Sequence, residues 1–251
     1  SRALSSGWNW RISTRSRYGN GYVFCDEFID STKAHDEIQS VYSEKVNVAK
    51  DIKFEAGCID KSWINNCVAI GLSSSFVEPL EASSIGNTIL QSLGLVRMLP
   101  GWDIDRKKTE DHYNKTFTDS FDNIVDFVQL HYVTKRNDTP FWRELPGMMT
   151  QTDFVKEHLP LFRKSMPIQS YFGESGYKMF NAPNWAQVMH GLELFDSDYI
   201  GKTLIETYGD KVVNEQLAKY NEYLATVERG AYIDHKVLLQ QNNIVVNLNR
   251  Q

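Results

Sequence analysis

Two carboxylates three residues apart, Glu78 and Glu81, flank Pro79 in the run Phe76-Val77-Glu78-Pro79-Leu80-Glu81-Ala82-Ser83-Ser84-Ile85-Gly86. A carboxylate pair can serve acid–base chemistry when a fold holds it beside a substrate. Spacing alone does not make the two a glycosidase pair, and as turn residues they read first as solvated charges. The small residues that follow carry a second kind of chemistry. Ser83 stands where a helix cap belongs, which leaves the amides of Ser84, Ile85 and Gly86 without a helical carbonyl partner. Free amides and the helix macrodipole together attract anions. A halide, a phosphate or the N1–C2=O edge of a reduced flavin would each suit such a cradle. On pattern alone the same stretch is an ordinary strand–turn–helix connection.

Other candidate chemistry is sparser. Trp8 and Trp10, two apart, face one side of a strand, where they either wall a planar ligand or pack a core. The run Gly19-Asn20-Gly21-Tyr22-Val23-Phe24 has the first two glycines of a dinucleotide fingerprint but Phe24 in place of the third, and no acidic ribose partner follows at the expected distance. It reads instead as a hairpin turn. No histidine pair has HExxH or HxH spacing, so no metal site is expected. The three cysteines, Cys25, Cys58 and Cys67, form no CxxC and read as free thiols of a reducing, cytoplasmic compartment. A net charge of −5 with scattered Lys and Arg gives no basis for a nucleic-acid surface. The longest uncharged run, 62–77, is too polar to cross a bilayer.

The elements that must position these residues follow from hydrophobic periodicity. A chain of 251 residues allows one large domain or two moderate ones. Alternation over 8–12 predicts a strand, joined through Gly19-Asn20-Gly21 to a second aromatic strand. Thr32 is placed to cap a helix with the stripe Ala34, Ile38, Val41 and Tyr42. A short strand is expected over 53–57. The apolar run 67–72 predicts a strand buried on both faces. A helix over 84–99 ends before Pro100-Gly101. After residue 101 helical periodicity takes over, with Tyr113, Phe117, Phe121, Ile124, Val125 and Val128 on one stripe. Thr139 caps another helix, with Pro140 at its first position. Later stripes are Val213, Leu217, Tyr220, Leu224 and Val227, then 237–239; residues 247–251 carry no structural signal. The chain opens on Ser1-Arg2-Ala3-Leu4 rather than Met and reaches a strand almost at once, which predicts a fragment.

Five stretches, in order, resemble the second half of flavin-dependent tryptophan halogenases. They are Gly7-Trp8-Asn9-Trp10-Arg11-Ile12, Arg17-Tyr18-Gly19-Asn20-Gly21-Tyr22-Val23, Asn66-Cys67-Val68-Ala69-Ile70-Gly71, Phe76-Val77-Glu78-Pro79-Leu80-Glu81 and Asp138-Thr139-Pro140-Phe141-Trp142. Beyond residue 142 the likeness is weaker, although Phe180-Asn181-Ala182-Pro183-Asn184-Trp185 is similar to members whose substrate is not settled. The resemblance implies an α/β fold: part of an FAD-binding, Rossmann-like box with a mixed sheet over 1–100, then a helical, substrate-side pyramid over 101–251. It implies that reduced FAD and oxygen form a flavin hydroperoxide, that halide attacks it, and that hypohalous acid travels to a lysine beside an aromatic substrate. A flavin reductase is the implied partner, and a homodimer is compatible with the family. The glycine fingerprint and the lysine lie upstream of the Trp-x-Trp motif in the family, so the isolated chain is expected to bind FAD poorly and not to halogenate.

Residue by residue, the resemblance gives Glu81 the place of the catalytic glutamate that faces the lysine and positions or polarises the substrate. Ser83 and Ser84 take halide-site positions, the second through its backbone amide. Leu72 and Ile85 take positions that touch the flavin. Trp8 and Trp10 match the pair that separates flavin from substrate, and Phe180 the place of an indole-sandwiching tryptophan. Several positions depart from the pattern. Ser13 replaces a usual Pro, Ala82 a frequent Ser, and Cys58 a common Arg. Ser175 stands in place of an acidic residue that grips an ammonium. With Phe180, that departure implies a larger indole or a phenol rather than free tryptophan. Two other readings share the motifs: a flavin monooxygenase on the same scaffold, and a non-catalytic remnant or binding module.

Overall fold

The computed structural model describes residues 1–14 and 17–230. The alternating opening segment forms a three-stranded sheet in the order β1 (Arg2–Leu4), β2 (Gly7–Ser13), β3 (Tyr18–Phe24). β1 and β2 are antiparallel, with Ala3 opposite Trp8. The chain does not reverse at Gly19-Asn20-Gly21, which lies within β3. Ahead of β3, the Thr14 amide donates to the Arg17 carbonyl at 2.9 Å. Gly21 serves packing rather than turning: a Cβ there would fall 2.0 Å from the Trp10 indole, which lies against its backbone.

Helix α1 (Ser31–Val41) buries Ala34 and Ile38, as its stripe requires, but its cap is Asp30 rather than Thr32. The Asp30 carboxylate accepts from the Lys33 amide at 2.9 Å. The strand expected over 53–57 appears only as β4 (Gly57–Cys58). β5 (Trp63–Ile64) and β6 (Cys67–Val68) form a short antiparallel hairpin. The continuous buried strand expected over 67–72 does not form. Cys67 is exposed, and the run ends in a 3-10 turn, Gly71–Ser73, with Gly71 at φ 68°, a conformation no strand residue adopts. The Gly71 amide donates instead to the buried Gln91 side chain at 2.6 Å. β7 (Ser75–Phe76) then returns to pair with β4.

Helix α2 (Ser83–Trp102) starts one residue before the expected helix and runs through Pro100 instead of stopping ahead of it. It packs along α3 (Arg106–Tyr132), a 27-residue helix about 40 Å long. Asp105 caps α3 by accepting from the Lys108 amide at 3.0 Å. Tyr113, Phe117, Phe121, Ile124 and Val128 are buried as the stripe predicts, with Val125 half-buried. Helix α4 (Pro140–Met148) begins with Thr139 at the cap position and Pro140 inside it. The Thr139 hydroxyl does not cap; it donates to the Ser5 carbonyl at 2.6 Å and ties the helix to the first sheet. Helices α5 (Asp153–Ser165) and α6 (Ala182–Gly191) close a core on α3 around Ile124, Phe127, Phe162 and Trp185.

These elements, Ser1–Ile12 and Tyr18–Phe195, make one compact unit. A second unit holds α7 (Ser197–Tyr208) and α8 (Asp210–Gly230) with the described residues of the Ser13–Arg17 turn. The expected stripe of α8 is helical, yet Leu217, Tyr220, Leu224 and Val227 along it are exposed. Residues 237–239 and 247–251 lie outside the described residues. The fold is α/β, mainly helical with small sheets. Among the described residues no helix is long and apolar enough to cross a membrane, and no cluster of three His, Cys, Asp or Glu is placed to hold a metal.

Candidate functional site

The loop between β7 and α2 is pinned by Leu80, which is buried with Trp8, Phe141 and Trp142. Its two carboxylates are thereby carried inward against the end of α3, and neither is the solvated turn charge its spacing suggested. The Tyr132 hydroxyl donates to both oxygens of Glu78, at 3.0 and 2.9 Å. Burial pushes the Glu78 carboxyl up to about 7, against the opposing pull of that hydrogen bond and of His131. Burial also holds the Tyr132 phenol well above its ordinary range. Glu81 Oε1 lies 2.8 Å from Nε2 of His131, with the two side chains 27% and 6% exposed. Sequence reasoning missed both partners. A signal was present, because His131 follows Ile124 by seven residues and Val128 by three and so sits on the same buried face of α3.

Aromatic rings gather around that histidine. Trp8 meets His131 edge-on at 6.0 Å and 89°. Phe127 meets it at 5.0 Å and 88°, and stacks in turn on Phe180 at 4.0 Å. Of the expected substrate-side residues, Trp8 and Glu81 therefore meet at His131, and Phe180 lies one ring away behind Phe127. Trp10 does not join them; it is half-buried and packs over Gly21. Trp8 is buried and its indole N–H has no partner within the described residues.

The helix start differs from expectation by one residue. Ser83 is the first residue of α2 and not its cap; the cap is Ala82, in the left-handed region at φ 48°, which has no side-chain acceptor to offer. The uncapped amides are therefore those of Ser83, Ser84 and Ile85. Gly86, now one turn in, is positioned to bond the Ala82 carbonyl. Ser83 is buried and Ser84 half-buried. Leu72 and Ile85 stand at the surface, 70% and 73% exposed. The uncapped amides at the start of α2 are surplus donors that fit an anion, and the Trp8 indole N–H is a separate unmatched donor.

A sequence profile described as tryptophan halogenase matches residues 1–202. The chain belongs to the tryptophan halogenase family. The match reaches past residue 142, into the segment where the motifs are weaker. Tryptophan 7-halogenase RebH of Lentzea aerocolonigenes is 32% identical over 206 residues, which are 76% of this chain and 38% of that protein. An uncharacterised protein of Sinorhizobium fredii, y4xG, is 31% identical over 191 residues, 74% of this chain and 38% of its own. Among solved structures, a flavin-dependent halogenase from Xanthomonas campestris superposes with a TM-score of 0.78 at 27% identity, covering 96% of this chain and 47% of that one. The chain thus spans 38% of the length of each of these two relatives.

A cavity of about 780 Å³ opens beside the Glu78–Tyr132 contact in this halogenase-family chain, with Gly7, Phe24, Val128 and Phe141 also in its wall. None of the expected site residues lines it. Glu78 gives it a pH-sensitive wall. Because folding raises this carboxyl toward 7, the folded chain holds its proton more tightly than the unfolded chain does. The Glu78 contribution to stability is therefore fully present below the ordinary glutamate range, falls as pH rises toward 7, and levels off above it. The Glu78 share is on the order of 3 kcal/mol at most. Asp126, pushed up to about 6 by burial, adds to the slope over a similar window. Urea unfolding at pH 5 and pH 8 should show the decline, and Glu78→Gln, which keeps an acceptor for Tyr132, should flatten much of it. An unchanged slope in that variant would show that Glu78 is not the group responsible.

Proposed function

We propose that the chain forms the halide and substrate side of a flavin-dependent halogenase that modifies an aromatic, indole-like ring. Residues 1–100 supply the flavin- and halide-facing part and 101–251 the substrate-facing part. The observation that carries this reading is the contact of Trp8 and Glu81 with His131, with Phe180 one ring further out behind Phe127 and the uncapped start of α2 two residues beyond Glu81. The amides of Ser83 and Ser84 hold the halide, as helix N-termini hold anions. Leu72 and Ile85, apolar and exposed, offer contact surface to a planar cofactor. Reduced FAD with oxygen, when bound, supplies the oxidising equivalent that converts halide to hypohalous acid. Trp8 and Trp10 keep the substrate on the far side from the flavin. Phe180 lies against the substrate ring, and Glu81 positions and polarises that ring for electrophilic attack.

The departures at Phe180 and Ser175 favour a larger indole or a phenol over free tryptophan. A flavin reductase is the partner that keeps the cofactor reduced. The test uses the complete polypeptide with a reductase, bromide or chloride, and a panel of indoles and phenols. Halogenated product that depends on the halide is the expected result. Oxygen consumption with no halogenated product from any substrate would overturn it in favour of a monooxygenase.

A further inference from the structure

His131 is committed at both ring nitrogens. Nδ1 lies 2.9 Å from the Phe127 carbonyl and Nε2 lies 2.8 Å from Glu81 Oε1. A carbonyl oxygen only accepts, so Nδ1 carries a hydrogen. A neutral ring would then present a bare Nε2 lone pair to Glu81, which repels where that carboxylate is ionised; a 2.8 Å contact requires a proton between the two atoms. The ring is also 6% exposed, with no room to turn toward water for a different partner. His131 occupies the last turn of α3, where the aligned carbonyls favour a positive charge. The ionisable groups facing it are Glu81 and Glu78 from the loop before α2, together with the neighbouring Tyr132 phenol, which already donates to Glu78. Trp8 and Phe127 supply apolar edges.

We propose that His131 is a positioning residue for Glu81: an imidazolium that donates through both nitrogens, clamps the carboxylate in one orientation and makes the pair net neutral. The consequence concerns the anion. An unpaired carboxylate two residues before the amides of Ser83 and Ser84 would repel a halide from them, whereas a neutralised one does not. This consequence rests on the role proposed for Glu81; the clamp itself does not.

The test is side-chain 15N NMR of the histidines at pH 7, with His131 assigned by its loss in His131→Asn. Both His131 nitrogens are expected to resonate as protonated, and Glu81→Gln is expected to return Nε2 to the unprotonated position while Nδ1 stays protonated. A neutral ring in the unaltered protein, or an Nε2 signal indifferent to Glu81→Gln, would overturn the proposal. Glu81 is part-exposed, so this arm stands even where a variant at the buried His131 fails to fold. In the complete halogenase, His131→Phe is expected to lower kcat by about 10²-fold through misplacement of the carboxylate. The donor variant His131→Asn is expected to recover part of that loss, with the KM of the aromatic substrate changed less than kcat. Full kcat in both His131 variants, where Glu81→Gln itself lowers turnover, would equally overturn it. If Glu81→Gln leaves turnover intact while the spectra show the ion pair, the role of Glu81 fails and the clamp survives.

Discussion

Glu81→Gln in the complete polypeptide should lower halogenation turnover by about 10²-fold or more while leaving the fold intact. The size follows from what a positioned carboxylate contributes to a reaction in which charge develops on the substrate, typically a factor of 10² to 10⁴. Glutamine preserves the shape and one hydrogen-bonding oxygen, so the residue still fills its place beside His131. What it removes is the negative charge. The side chain is 27% exposed, and no apolar cavity is opened, so the melting temperature should move by only a few degrees. The measurement is a pair of steady-state curves, for halide and for the aromatic substrate, alongside a thermal melt. A loss confined to kcat places Glu81 at the step in which the ring is attacked. A loss confined to the halide KM would instead assign it to the anion cradle. Wild-type turnover would remove Glu81 from the chemistry altogether.

Trp142→Ala should destabilise the first compact unit by about 3–5 kcal/mol, the cost of deleting a large, fully enclosed aromatic. Trp142 is 1% exposed. Its indole N–H donates to the Leu4 carbonyl at 2.7 Å, and its ring meets Trp8 edge-on at 5.9 Å and Phe141 at 4.8 Å. Removing it leaves a cavity and an unpaired buried carbonyl in the same place. Because Trp8 links Trp142 to His131, the cavity opens next to the candidate site. Trp142→Phe restores much of the volume but not the donor, so it should cost less than the alanine variant and more than 1 kcal/mol. Urea denaturation followed through fluorescence of the remaining tryptophans reads both. Equal stability of the two variants would mean that the hydrogen bond to Leu4 outweighs the packing, contrary to the expectation.

Where local signals agree with the tertiary environment, elements were legible in the sequence. The stripe on α3 is the clearest example, because a 3.6-residue period sustained across Tyr113 to Val128 has one face to bury and one way to bury it. The Pro140 start of α4 is another, since proline has no N–H to lose at that position. The order of the five motifs pointed to the family that the profile match shows, and gave Glu81, Ser83 and Ser84 the places expected of them. Short elements were less legible. The Gly19-Asn20-Gly21 run has turn composition, yet its second glycine is there to admit the Trp10 ring, a constraint set by a residue eleven positions away. The run over 67–72 has strand composition, yet Gln91, on a later helix, takes the Gly71 amide and bends the chain.

The candidate site divides in the same way. By itself the sequence determined that carboxylates, small residues and a helix start lie together, because those are neighbours along the chain. Only the tertiary structure decided that Glu78 belongs to Tyr132 and Glu81 to His131, that Trp8 meets that histidine directly, and that Phe180 reaches it only through Phe127. The sequence separations between these partners are about fifty residues or more. A carboxylate's protonation, orientation and reach depend on what surrounds it once water is gone. Sequence spacing specifies neighbours along one element, and desolvation is a property of the packing between elements.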